Sequence, residues 1–308
     1  MKISIAVTRY SWDVPIDGLP QRLARVARQA EAVGVDTIWL PDHLLQMEPG
    51  AAVDEPMVEA YTTLGFLAAA TERVGLGTMV TWASIRPPGL LVKVVTSLDV
   101  LSGGRAWFGV GAGYRGDEAA MMGLPFPPTP ERFARLEELL QIADHMWSGR
   151  HEPFQGSYDQ LQAPICSPLP VRRPRILIGG SGEKRTLPLV ARYADACNLF
   201  DIPDGGVTLR RKLDALKAAC ADVGRNPGDI EVTLSSRLAP GESPEAFADR
   251  GTRLAGDGVD HVVLIGNGAW AEPALDVVGR ALELLGRAPA GPAESTTSLG
   301  TRRKASRQ

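Results

Sequence analysis

Short apolar runs and longer amphipathic stretches alternate along this chain, and that alternation constrains its fold more than any single motif. Ile3–Val7, Thr37–Leu40, Val74–Val80, Arg105–Val110, Ile176–Ile178, Asp195–Leu199, Ile230–Leu234 and His261–Ile265 read as strands. Ala106–Val110 is apolar at every position, as expected of a strand covered on both faces. Helices are predicted between them. Pro20–Val33 carries Leu23, Val26, Ala27 and Ala30 on one face, and Val58–Thr71 and Leu90–Val100 follow. Thr129-Pro130 opens a helix with Phe133, Leu136, Leu140, Ala143 and Trp147 on one stripe. Thr208–Val223, Pro244–Ala255 and Pro273–Leu285 complete the series. About eight strand–helix units in 308 residues predict a single (β/α)₈ TIM-barrel domain over residues 1–286. A doubly wound sheet is the alternative, but its phosphate loop would follow the first strand, and Val7–Trp12 holds no glycine.

Two insertions interrupt the pattern. A proline-rich one with Pro125, Pro127 and Pro128 follows strand four. Another, His151–Arg173, precedes strand five and is expected to form a hairpin and loop over one end. Pro188 lies too deep in the fifth helix for its first turn, so it should kink or shorten that helix. Residues 287–308 lack periodicity and read as a disordered tail.

Composition excludes several classes of function. A net charge of -3, with no basic run in the folded part, argues against nucleic acid as a partner. Three cysteines without CxxC spacing point to a reducing, cytoplasmic setting, and four histidines never stand at metal-ligand spacing, so no metal is expected. No apolar run approaches membrane-spanning length, and the first residues read as a strand instead of a signal peptide.

The chemistry is expected at two glycine-rich strand ends. After Ser102-Gly103-Gly104 stop a helix, the fourth strand runs into Gly109, Gly111 and Gly113 and then Tyr114, Arg115, Asp117 and Glu118. Bare backbone there lets something flat or anionic approach, although a tight barrel corner needs glycine as well. The fifth strand runs into Gly179-Gly180-Ser181-Gly182 and a helix start. That order presents N–H groups and a helix dipole to a phosphate. It is neither a Walker loop nor the GxGxxG fingerprint, so a phosphate-bearing cofactor spanning two strand ends fits better.

Four blocks carry a family resemblance: TIWLPDH, LAAATERVGLGTMVTWASIRPP, the long segment from SLDVLSGGRAWFGVGAGYRGDE to the end of its helix, and PRILIGGSGEKRTLPLVARYADACNLF. Together, across residues 37–200, they resemble the luciferase-like flavin and deazaflavin superfamily, in particular the branch of oxidoreductases that use coenzyme F420. The resemblance implies a TIM barrel with the deazaflavin across the carboxyl ends of its strands. It implies that Asp42 hydrogen-bonds the ring edge and that His43 faces the substrate. It places a bulge with a non-prolyl cis peptide near Met79-Val80, whose backbone buttresses the ring. Gly111 and Gly113 would then admit the ring, and Gly179, Gly180 and Ser181 would bind the phosphate.

Taken singly, each of these residues also suits a purely structural role. His43 suits a core histidine, Asp42 a turn or cap, and Glu118 a salt bridge at a loop base as well as an acid. Trp12 and Trp82 are either a substrate wall or barrel-top packing. The chain also departs from the branch. Pro87 stands where His or Asn usually precedes Pro88, and Met47 and Tyr114 replace the tryptophan and glutamate of its sugar-phosphate dehydrogenases. Hydride transfer to an activated C=C or C=N of a small organic substrate is therefore the expected reaction. His43 is the expected proton donor and Tyr114 the second candidate. The alternatives are an FMN-dependent monooxygenase and a non-catalytic flavin-binding relative; a homodimer is the expected assembly.

Overall fold

The computed structural model describes residues 1–286; the tail expected at 287–308 lies outside the described residues. The elements run β1 (Lys2–Ala6), α1 (Leu19–Ala32), β2 (Thr37–Leu40), α2 (Ala60–Ala70), β3 (Gly75–Thr78), β4 (Thr81–Trp82), α3 (Pro88–Ser102) and β5 (Ala106–Gly111). They continue as α4 (Gly116–Met122), α5 (Thr129–Trp147), β6 (Phe154–Gln155), β7 (Gln160–Leu161), β8 (Arg175–Gly179), α6 (Thr186–Tyr193) and β9 (Ala196–Phe200). The series closes with α7 (Val207–Asp222), β10 (Glu231–Arg237), α8 (Pro244–Gly256), β11 (His261–Ile265) and α9 (Glu272–Leu284).

All of the main-sheet strands pair in parallel, in the order β3-β2-β1-β11-β10-β9-β8-β5, and β3 pairs with β5 to close the barrel. The (β/α)₈ architecture expected from the alternation is therefore present, with the apolar faces of the helices packed outside. Both insertions lie between β5 and β8. The second holds the antiparallel hairpin β6–β7, whose turn is pinned from α5. There the Glu138 carboxylate accepts backbone N–H bonds from Ser157, Tyr158 and Asp159.

The barrel interior separates into levels. At the amino ends of the strands, buried His261 bonds Ser4 at 2.6 Å and Glu231 at 2.7 Å, and Glu231 also receives Lys2 and Arg175. Burial alone would raise the Glu231 carboxyl, but His261 and Lys2 hold it well below the usual range. Above this lie Ala6, Trp39, Trp107, Leu177, Ala196 and Val263. The two indoles lie 5.3 Å apart beside bare Gly77; a Cβ there would meet the Trp39 ring and the Cβ of Trp107.

Three local expectations change. Pro188 does not kink α6, because the helix begins at Thr186 and the proline falls in its first turn, where its missing N–H costs nothing. Ser167-Pro168 is cis, which the sequence did not suggest. The third strand is not continuous through Val80. Gly77 pairs with Trp107 and Thr81 with Val110, so three residues of one strand lie opposite two of its neighbour. The Met79–Val80 peptide is cis within that bulge.

The bulge pushes backbone into β5. A Cβ on Gly109 would collide with the Thr78 carbonyl oxygen, and the Thr78 hydroxyl donates to the Gly109 carbonyl at 2.8 Å. Gly109→Ala should therefore cost about 3 kcal/mol or more, because backbone and not a pliable side chain must yield. Urea unfolding checks this; a midpoint equal to wild type would show that the strands can part there without loss.

Candidate active site

The carboxyl ends of the strands open into a cavity of about 510 Å³. Its floor is Ala6, Met79, Val80, Asn198, Ser235 and Ile265, and its walls include Met47, Met57, Trp82, Phe133 and Phe200. At the floor, Asn198 donates to Thr233 at 2.9 Å and accepts from Ser235 at 3.0 Å, which fixes its amide.

His43 leaves β2 at its carboxyl end and lines the cavity. Its Nδ1 lies 2.6 Å from Oε2 of Glu118, which is fully buried on α4. The other oxygen of Glu118 accepts the backbone N–H groups of Leu44 at 2.7 Å and Leu45 at 3.2 Å. Burial raises this carboxyl, but the bonds from His43 and the two amides outweigh it and hold the group below its ordinary range. An ionised carboxylate can only accept, so Nδ1 carries a hydrogen and Nε2 is the nitrogen turned away from Glu118. Among the described residues Nε2 has no protein partner. On the cavity side Nε2 can take a proton when the ring is neutral, or give one when it is the imidazolium, whose charge Glu118 stabilises.

Asp42, the preceding residue, is 1% exposed and turns to a different partner. Arg86 grips it through two bonds, at 2.5 and 3.0 Å, and reaches on to Glu59 at 2.6 Å. Both Asp42 oxygens are thus engaged within the protein, so any bond to a ring edge uses only the capacity that Arg86 leaves. Arg86 gives no signal in the sequence because it stands in an irregular flank, Ile85-Arg86-Pro87-Pro88. Glu118 is visible there as a possible acid but cannot be joined to His43, since 75 residues separate them.

Gly111, Gly113, Gly179 and Gly180 all line the cavity, and three of them also make room for protein side chains. A Cβ on Gly111 or Gly179 would meet Val80, and one on Gly113 would meet the Trp82 ring. Their bareness admits these two side chains to the floor and wall. Gly180 alone among them faces open space: its φ is +111°, and the Cβ position lies 3.6 Å from its nearest neighbour, Thr186. The N–H groups of Ser181, Gly182 and Glu183 find no acceptor among the described residues, and α6 begins just after them. Ser181 does not itself line the cavity. Trp82 does, whereas Trp12 is held elsewhere: its indole donates to the Trp270 carbonyl at 2.6 Å and its ring meets Tyr10 edge-on. Tyr114 is 75% exposed and stands at the rim, edge-on to His43 with centroids 6.2 Å apart. No group of three or more metal-ligating side chains occurs among the described residues, and none of their helices is long and apolar enough to cross a membrane.

The profile of the luciferase-like monooxygenase family matches residues 3–295. The chain belongs to this family. It is 33% identical over 230 residues to a protein of Kineococcus radiotolerans named F420-dependent glucose-6-phosphate dehydrogenase. That match covers 73% of this chain and 66% of the relative, so the chain spans a little under two thirds of the relative's length. Among solved structures, an F420-dependent secondary alcohol dehydrogenase with an F420-acetone adduct superposes with a TM-score of 0.78 at 17% identity, covering 92% of this chain and 98% of that one. A riboflavin lyase with modified FMN superposes with a TM-score of 0.79 at 15% identity, covering 95% and 94%. At these identities the two structures share the family's barrel fold.

The lowered pKa of Glu118 has a consequence for stability. A carboxyl held down in the folded state stabilises the protein above the ordinary carboxylate range, near pH 4.3 as a rough reference, and loses that contribution as pH falls through it. Glu118→Gln should therefore lose less stability than wild type between pH 7 and pH 3, starting from a lower value at pH 7 by about 1–3 kcal/mol. Urea midpoints across that range would expose the difference; parallel curves would contradict it.

Proposed function

We propose that this protein is an oxidoreductase that binds coenzyme F420 across the carboxyl ends of the barrel strands and reduces an activated C=C or C=N of a small organic substrate. The observation that carries the reading is His43, held by buried Glu118 in the tautomer that presents Nε2 to a largely apolar cavity. The curated relative's name supports the cofactor. So does the loop Gly179–Gly182, where the Gly180 cradle and three unpaired N–H groups suit a phosphate. Gly179, Gly180 and the Ser181 backbone would hold that phosphate. Val80, seated against Gly111 and Gly179, would back the ring, and Asp42 with Arg86 would border its edge.

When bound, the deazaflavin supplies the hydride. The chain's own residues do the rest. His43, as the imidazolium, would deliver its Nε2 proton and become the neutral Nδ1–H ring, while Glu118 keeps it oriented and stabilises the charged form. Met47, Met57, Trp82 and Phe200 exclude water around the reacting atoms. Tyr114 closes the rim beside His43 and is the second proton source. The relative's sugar phosphate is not the substrate proposed, because Met47 and Tyr114 replace the residues that the resemblance associates with it.

Fluorescence titration with F420, followed by anaerobic turnover of reduced F420 with enones and imines, tests this reading. Wild type should quench the cofactor and consume it. His43→Ala should bind it with similar affinity and lose about 10²–10⁴ in turnover. Gly180→Ala should bind it more weakly, because a side chain at that φ is strained and enters the cradle. Oxygen-consuming turnover with FMN and no response to F420 would overturn the assignment.

A further inference from the structure

We infer that Thr8 is a substrate-binding residue and that the substrate is a conjugated carbonyl compound whose oxygen accepts from its hydroxyl. The reaction rests on the oxidoreductase reading; the hydroxyl and its setting do not. Along β1, Ile3, Ile5 and Val7 point outward into the helix-packed core, and Ser4 and Ala6 point inward. Val7 still donates to the Trp39 carbonyl at 2.9 Å, so the pleat continues past Ala6 and turns Thr8 inward to line the cavity. Other inward hydroxyls have partners. Ser4 bonds His261 and accepts from the Thr37 N–H, Thr233 donates to the Cys197 carbonyl, and Ser235 donates to Asn198. Thr8 is buried too, yet among the described residues its hydroxyl has none. The Trp82 indole N–H is the other such atom on a lining residue, and it stands on β4, beside the strands assigned to the cofactor.

A buried hydroxyl without a partner costs free energy, so its place on a cavity wall points to a ligand atom. The backbone around it is fixed. The Thr8 carbonyl accepts from Gln46 at 3.2 Å, and Gln46 in turn accepts from the Glu48 N–H at 3.0 Å. β1 pairs with β2, whose end carries His43, so Thr8 and His43 stand on neighbouring strand ends. β1 also lies opposite β8 and its glycine loop, reached through β11, β10 and β9 on one side and β2, β3 and β5 on the other. The hydroxyl is shielded by its neighbours. It reaches a ligand by a turn about χ1 that exchanges it with its methyl group, and no hydrogen bond has to break for that.

Thr8 and His43 then have different tasks on one substrate. When the hydride forms its bond at the β-carbon of a conjugated carbonyl compound, the C=C pair moves toward the carbonyl and negative charge collects on oxygen. A donor at that oxygen stabilises the charge. The carbonyl re-forms as the α-carbon takes the Nε2 proton of the His43 imidazolium; the C=C is reduced and the hydride donor oxidised. A C=N needs only His43, because hydride goes to carbon and the proton to nitrogen. The second donor therefore favours the conjugated carbonyl.

The probe for this contact is 4-(dimethylamino)cinnamaldehyde, whose absorption moves to longer wavelength when its carbonyl accepts a hydrogen bond. Bound to wild type without cofactor, it should show that shift. Thr8→Val should abolish most of the shift and weaken binding about threefold to tenfold, Thr8→Ser should restore both, and His43→Ala should keep the shift. Because the hydroxyl has no partner in the protein, Thr8→Val should unfold in urea at the wild-type midpoint or above it. F420 affinity should be the same in both Thr8 variants as in wild type. With reduced F420, Thr8→Val should lose about tenfold to 10²-fold in kcat/KM for cyclohex-2-enone and little for the imine 2-methyl-1-pyrroline. A shift that survives Thr8→Val, a lower urea midpoint, weaker F420 binding, or equal losses on both substrates would overturn the inference. Failure of F420 to bind while the shift still depends on Thr8 would overturn the oxidoreductase reading and leave the contact standing.

Discussion

The floor of the site depends on one close approach, the Thr78 carbonyl pressed against Gly109. One extra residue in the third strand cannot be absorbed by the ladder, so the strand bends and its backbone enters β5. Gly109 has no side chain to resist. Once the strand has bent, Val80 points between β5 and β8, and only glycine at 111 and 179 leaves room for it. β4 then rejoins β5 and brings Trp82 over Gly113. A single crossing at mid-strand thus fixes four bare positions, one floor residue and one wall residue, and it joins strand ends that lie far apart in the chain.

Stability and chemistry occupy opposite ends of the barrel. At the amino ends, partly exposed Lys2 and Arg175 converge on Glu231, which bonds buried His261, and this is where barrels keep residues that hold the fold. At the carboxyl ends the ionic contacts are arranged around an opening instead. Both ends contain a histidine bonded through Nδ1 to a glutamate, at 2.7 Å for His261 and 2.6 Å for His43. They differ at Nε2: Ser4 occupies it in His261, and among the described residues none occupies it in His43. The chemical pair is the same, and access to solvent space decides which one can exchange a proton with a ligand.

Much of this was legible in the sequence, for identifiable reasons. The strands were legible because a strand buried on both faces is apolar throughout, as in Ala106–Val110, and the helices because one face repeats. The bulge at Met79-Val80 was readable only through family resemblance, since apolarity runs across it unbroken. The glycines were legible as special, but their use was not. Whether a missing Cβ makes room for a ligand or for Val80 depends on how a different strand bends. Trp12 reads as a site residue because it follows a strand, and the acceptor that draws it aside, the Trp270 carbonyl, lies 258 residues further on.

The neighbours Asp42 and His43 show why the identity of two adjacent residues says less than their partners. Both follow the end of β2 and line the same cavity, yet their side chains are held by different partners. Asp42 meets Arg86, which takes both of its oxygens and ties the end of β2 to the start of α3. His43 meets a carboxylate that two backbone amides have already fixed in place. The amides belong to Leu44 and Leu45, the residues that carry the chain away from His43. Glu118 therefore sets the direction of that loop and the tautomer of the ring with one side chain. A change that displaced α4 would move both together, which couples the position of the proton-exchanging nitrogen to the loop that bears Met47 and Glu48.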